Sequence, residues 1–300
     1  MPFEAPVTRE RLLRRIRAYP LGDTPEEMRR AFHDLVVGPE TGRMRRQVSV
    51  SEDPGGLTVR SVDASGFTAM PRIVWFHGGG YVFGSPETHI RPAIRLAEHH
   101  RFTVRLPRYR LAPEHPWPAQ RDDAVAEAEA APAPVILAGD SAGGHLALVT
   151  ALRMAKAGNA PLALLLFSPN TDRSGLNTER ARMDALDPMV DDEGDRRLAR
   201  MCFGDMADDH PEVSPVLDDL SLLPPTWIEV GTPEVLHGDA VALHRRATEQ
   251  GAEVHLQETP GLLHMGQLWQ PWWDEATASI DRAAAFALTK AAERRNASAA

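Results

Sequence analysis

Three hundred residues with 43 % hydrophobic side chains suffice for a large core and fit one α/β domain with an appended segment. The net charge of −9 argues against nucleic acid as the main partner, and the single cysteine, Cys202, excludes an internal disulfide. No apolar run approaches the ~18 residues of a membrane span, and the arginine-rich start MPFEAPVTRERLLRRIRAYP lacks both an apolar signal core and the serines of a transit peptide, so the expected location is cytoplasmic.

In chain order, residues 7–37 read as two helices. The second opens on a start signal: Thr24 as N-cap, Pro25 at the first helical position and Glu27 closing a capping box. β-Rich segments follow at RRQVSV (45–50), LTVRSV (57–62), RIVWFH (72–77), FTVRLPRY (102–109) and PVILAG (134–139). Three more lie at LALLLFS (162–168), TWIEVG (226–231) and AEVHLQE (252–258). The first two, joined through Pro54, Gly55 and Gly56, predict an antiparallel hairpin on one edge. From the third onward, helix-like stretches alternate with the strands: RPAIRLAEHH, AQRDDAVAEAEA, SAGGHLALVTALRMAKA. That alternation predicts right-handed crossovers and a mostly parallel sheet.

Residues 171–222 are too long for a simple crossover. With residues 7–37 they are expected to form a lid over the carboxyl edge of the sheet. The expected division is a helical cap segment at 1–44, a first core part at 45–170, an insertion at 171–222 and a second core part at 223–300. The acidic runs DALDPMVDDEGD and DMADDHPE lack the alternating ligand pattern of a calcium loop. Asp191, Asp192 and Glu193 instead open a helix that closes with Arg196, Arg197 and Arg200, as the helix dipole favours. No metal and no cofactor are expected.

The stretch VILAGDSAGGHLALV (135–149) sets Ser141 between a β-run and a helical run, with Gly139 and Gly143 on either side. A serine hydroxyl is a weak nucleophile unless it is held within reach of a base. A tight strand-to-helix turn exposes its oxygen above the sheet and aims the first helix amides at a reacting carbonyl. Such a turn brings the two backbones together, which requires small residues two positions before and after. The pattern alone is weak; its strand–turn–helix context raises it.

At the end of the third strand, WFHGGGYVFGSPE (75–87) carries three consecutive glycines, whose amides can approach a ligand unobstructed. Placed there, they complete an oxyanion hole with the N–H of Ala142. No Gly-Lys-Ser/Thr follows, which excludes a phosphate loop. The acid and the base are expected later, in the order serine, acid, histidine. GTPEVLHGDA offers Glu234 and Asp239, and TPGLLHMGQL offers His264. Of the twelve histidines, His264 follows the last strand at the same edge as Ser141. His77 is expected to anchor the glycine loop, His145 to be packed on the elbow helix, and His237 to lie on the wrong loop for a base.

HGGG (77–80), YRLAPEHPWPA (109–119), GDSAGG (139–144) and VSPVLDDLSLLPP (213–225) together resemble the hormone-sensitive-lipase-like branch of the α/β-hydrolases, in that family's motif order. The resemblance implies the α/β-hydrolase fold, with an eight-stranded sheet and an amino-terminal cap. It also implies hydrolysis of small-molecule esters of small to medium acyl chains through Ser141, an acid and His264. Carried over by motif, the oxyanion donors are the N–H groups of Gly78, Gly79 and Ala142. Many relatives have aspartate at the acid position; here the matching residue is Glu234, preferred over Asp239. Arg108 precedes Tyr109 where aspartate is common, which puts a local polar contact in doubt.

Lactone hydrolysis or deacetylation by the same triad is the alternative reading, and a non-catalytic ligand-binding module the remoter one. A homodimer paired along strand eight is the arrangement some relatives adopt. Because the histidine must be neutral to accept a proton, activity is expected to rise through a limb at about 6.5.

Overall fold

The computed structural model describes residues 7–37, 48–62 and 70–299. The start of the first expected strand (45–47) and part of the expected cap segment (1–6 and 38–44) lie outside them. Eight strands form one sheet in the order β1-β2-β4-β3-β5-β6-β7-β8. Their ranges are β1 Val48–Asp53, β2 Gly56–Ser61, β3 Arg72–Phe76, β4 Thr103–Pro107, β5 Val135–Asp140, β6 Ala163–Phe167, β7 Thr226–Gly231 and β8 Val254–Thr259. β1 and β2 are the expected antiparallel hairpin; β2 meets β4 antiparallel, and every other pairing is parallel.

Alternation along the strands divides the core. Val74 and Phe76 of β3, Leu137 of β5 and Leu164 and Leu166 of β6 face one apolar layer. Ile73 and Trp75, Ile136 and Ala138, and Leu165 and Phe167 face the other, as the period of two requires. α4 (Ala119–Ala130), α5 (Ala142–Lys156) and α8 (His237–Glu249) cover the first face; α3 (Ile90–His100) and α9 (Asp274–Ala299) cover the second. β5 is buried at every position, as a central parallel strand covered on both faces must be.

The chain runs from β3 out to β4 and then back across β3 to β5. That reversal opens a crevice at the carboxyl ends of β3 and β5, the usual ligand position in such sheets. Phe76 pairs with Gly139, so the glycine loop leaves the sheet beside Ser141. On the far side Gly231 pairs with Thr259, which starts the loops of Glu234 and His264 together.

α1 (Arg9–Arg17) and α2 (Pro25–Val36) occupy the first expected helical region, and the Thr24–Glu27 capping box forms in both directions. Leu12, Ile16, Met28 and Phe32 are buried on the first layer. Arg29 ties α2 to the loops below it: Nε donates to the Val82 carbonyl at 2.9 Å and Nη2 to the Ala112 carbonyl at 3.0 Å. Phe32 packs on Phe83 with centroids 5.0 Å apart. The insertion carries α6 (Arg180–Met183) and α7 (Asp192–Phe203). Asp191 caps α7 through the Gly194 N–H, as its acidic start implied. Among the described residues no helix is long and apolar enough to cross a membrane.

Candidate active site

Ser141 sits at the β5–α5 junction with φ +54° and ψ −123°, a left-handed value that a non-glycine residue adopts only under constraint. The constraint is visible in its neighbours. A Cβ on Gly139 would strike the Gly143 carbonyl oxygen, and one on Gly143 would strike that of Phe76. The Ser141 N–H donates to the Phe167 carbonyl at 3.0 Å, and its own carbonyl accepts from His145 and Asn170 at 3.1 and 3.2 Å. The elbow is thus pinned to β6, α5 and the loop after β6.

His264 and Glu234 form a buried pair, each 1 % exposed at the side chain, with His264 Nδ1 2.9 Å from Glu234 Oε2. The other oxygen, Oε1, accepts the Gly231 N–H at 2.6 Å. A carboxylate there only accepts, so Nδ1 carries the hydrogen and Nε2 presents its lone pair. His264 Nε2 is buried without a hydrogen-bond partner among the described residues. Burial lowers the affinity of this imidazole for a proton. The Glu234 hydrogen bond and charge, with Asp187 and Asp140 behind them, outweigh burial and raise its pKa above the ordinary value.

Asp239 stands elsewhere. Its carboxylate accepts from Arg180 Nη1 at 3.0 and 3.2 Å, Asn177 Nδ2 at 2.7 Å and the Thr171 and Asp172 amides at 3.0 Å. The other singled-out histidines are also occupied. His77 stacks on Tyr109 at 4.2 Å with Nδ1 2.9 Å from the Gly78 carbonyl, and burial pushes its pKa down to about 3. His145 is packed among Tyr81, Trp117 and Phe203, and its Nδ1 lies 2.6 Å from the Tyr81 hydroxyl. His237 pairs with Glu258 at 2.7 Å. The polar contact in question at Arg108 is an ion pair to Glu87 at 2.6 Å, with a second to Glu52 at 3.2 Å.

The Gly78 N–H points back into the protein at His89 Nε2, 3.3 Å away, which itself lies 3.0 Å from Asp140 Oδ2. Gly78 therefore turns its amide away from the cavity, and Gly79 and Gly80 line it with Ser141 and His264. Both have positive φ, +119° and +57°, and a Cβ would strike the Phe83 carbonyl oxygen at Gly79 and the Leu198 side chain at Gly80, so glycine is required at each.

The cavity is about 390 Å³. Its walls come from both segments read as a lid: Ile16, Met28 and Phe32 from the first, Met189, Val190 and Leu198 from the second. Two residues behind the site, His89 and Asp187, carry no role in the sequence pattern. His89, in the loop before α3, shows no local pattern that distinguishes it. Asp187 is followed by Pro188, a turn signal that was available.

This architecture can be set against known proteins. A family model described as the alpha/beta hydrolase fold matches residues 73–268. The chain is 35 % identical over 228 residues to an acetyl-hydrolase of Streptomyces hygroscopicus, covering 74 % of this chain and 76 % of that protein. It is 32 % identical over 232 residues to an esterase of Acinetobacter venetianus, again covering 74 % and 76 %. Its backbone matches an esterase of the bacterial hormone-sensitive lipase family with a TM-score of 0.85 at 27 % identity, over 94 % of this chain and 98 % of that one. Fold, elbow and relatives define an α/β-hydrolase. Within that family the chain belongs to the hormone-sensitive-lipase-like branch.

Proposed function

We propose that the protein is a carboxylesterase that works through Ser141, His264 and Glu234. The observation that carries this reading is the open Nε2 of His264, which lines the same cavity as the strained Ser141 while Nδ1 is held by Glu234. His264 takes the Ser141 proton as the oxygen attacks an ester carbonyl, then returns it to the leaving alkoxide. Water repeats the sequence on the acyl-enzyme. Glu234 keeps the proton on Nδ1 in the resting state and stabilises the imidazolium. The developing oxyanion is met by the N–H groups of Gly79, Gly80 and Ala142, with Gly80 in the place first assigned to Gly78. Ala142 opens α5, so its amide belongs to the first-turn donors that a helix leaves unpaired.

The mostly apolar wall favours esters of small to medium acyl chains. Deacetylation is the second reading, favoured by the relative named an acetyl-hydrolase. Both use the same steps and differ in the acyl group received. We take residues 1–44 and 171–222 as cap segments, the protein as cytoplasmic, and two copies as pairing along β8, an edge strand of the sheet.

The test is Ser141→Ala with p-nitrophenyl acetate, butyrate and octanoate, beside fluorophosphonate labelling of the wild type. Loss of several orders of magnitude in turnover with an unchanged melting temperature is expected. Near-normal turnover in the variant would reject the scheme, and absence of labelling in folded protein would favour a non-catalytic binder.

A further inference from the structure

Behind the Glu234–His264 pair lies a third carboxylate that the scheme above does not use. Asp187 is 8 % exposed and belongs to the insertion, not to the sheet. Its Oδ2 accepts the N–H of Val235, the residue after Glu234, at 3.0 Å. Its Oδ1 accepts the N–H groups of Met189 at 2.9 Å and Val190 at 3.2 Å. Burial, with the Glu234 charge beside it, raises the pKa of this carboxyl above the ordinary value, while His264 and the donated N–H groups favour its ionised form. Met183, Val235 and Leu236 pack into a small apolar cluster with Val190 against it, so the same junction is closed by side chains.

We propose that Asp187 is a positioning residue for the Glu234–His264 pair, clamping the loop of the acid to the segment of the insertion that walls the cavity. The inference rests on the esterase reading and deepens it. Met189 and Val190 touch the cavity on one side of Asp187, and Val235 carries the acid on the other. One side chain therefore couples the seating of the pocket wall to the placement of Glu234. Its charge also acts on His264, which faces Glu234 from the β7–α8 loop, Asp187 from the insertion and Asp140 from the end of β5.

The experiment compares wild type with Asp187→Asn, which keeps the shape and one accepting oxygen but removes the charge. The acidic limb of kcat/KM should move down by about half a pH unit, since one anion near the imidazole is gone. The plateau kcat per fluorophosphonate-titrated site should fall about ten-fold, since small misplacements of reacting groups are costly. KM for p-nitrophenyl acetate, whose acyl group carries a single methyl, should stay near the wild-type value.

A role confined to stability would lower the melting temperature and leave the limb in place; a folded Asp187→Asn with an unshifted limb overturns the proposal. Should that variant not fold, amide exchange of the wild type decides. The Val235 N–H should be strongly protected, and exchange as fast as the exposed turn at Gly251 overturns the clamp. Turnover persisting in Ser141→Ala would instead strike the esterase reading itself.

Discussion

Phe76 and Gly139 stand opposite each other in the parallel ladder between β3 and β5. The loops leaving those two strands must share one crevice, and they approach so closely that a Cβ on Gly143 would overlap the carbonyl oxygens of Phe76 and His77. Gly143→Ala therefore forces backbone apart, not a pliable side chain. It should destabilise by about 1–3 kcal/mol, the usual range for overpacking. It should also slow fluorophosphonate labelling of Ser141 at least ten-fold. A melt and a labelling time course check this, and a variant that melts and labels like the wild type would contradict the close approach.

The pH profile follows from the sign of the His264 shift. Burial pulls the pKa down, but the Glu234 hydrogen bond and charge, helped by Asp187 and Asp140, raise it overall. The base must be neutral, so activity is lost as pH falls through that pKa, and raising it moves the limb to higher pH. The limb of kcat/KM should lie above the ordinary imidazole value of about 6.5, in place of the limb at that value expected from sequence. A wild-type limb at or below that value would contradict the charge arrangement.

Glu234→Gln keeps the side-chain length and removes the charge. The amide can present its NH₂ to Nδ1, which favours the wrong tautomer, so plateau kcat should drop by about 10³–10⁴. The limb should move down at the same time, because the strongest influence holding His264 protonated is lost. Glu234→Asp, one methylene short of Nδ1, should recover part of the rate. Kinetics of both variants from pH 5 to 9 separate charge from reach. Equal rates for Gln and wild type would remove Glu234 from the site.

Asp239 supplies the contrast. It is fully buried with Arg180 and holds the amides of Thr171 and Asp172. Asp239→Ala takes one of three carboxylates from the buried Arg180, which keeps Asp192 and Asp195, and strips the Thr171, Asp172 and Asn177 N–H groups of their acceptor, so it should destabilise by about 1–3 kcal/mol. The residue does not touch His264, so folded molecules should still label with fluorophosphonate and keep the wild-type pH limb. A shifted limb with intact stability would show that the acid assignment is reversed.

The parts legible from sequence were those whose chemistry is local. Ser141 announced itself because its turn needs Gly139 and Gly143 within four residues of chain, and Thr24 and Glu27 announced α2 for the same reason. The alternation of strands and helices revealed a parallel sheet, but not that β4 lies outside β3, because strand order depends on crossovers that no short window contains. Strand ends shifted where a neighbouring element claimed the backbone. The segment expected from Ala252 begins at Val254 because the Gly251 and Ala252 amides donate to Thr248 and Ala247 at the end of α8. Which glycine amides would meet an oxyanion was not legible, because the Gly78 amide points toward His89, eleven residues away. Asp187 was read with an acidic run, since its partner Val235 is 48 residues distant.

Chain-length preference is open to rational change at the wall of the cavity. Met189 is partly buried, lies beside Val190 and lines the same cavity as Ser141, which places its side chain where an acyl chain can meet it. Met189→Trp fills part of that space without touching the Glu234–His264 pair. Each methylene that can no longer be buried removes about 0.8 kcal/mol of binding, so excluding two of them lowers kcat/KM by roughly ten- to twenty-fold. The loss should appear for p-nitrophenyl octanoate and be small for the acetate, which needs little of the cavity. Because Met189 donates its backbone N–H to Asp187, the substitution leaves that bond available, and the pH limb should not move. Octanoate kinetics unchanged from wild type would mean that Met189 lies off the path of the acyl chain, and that the long arm of the substrate runs instead toward α1 and α2.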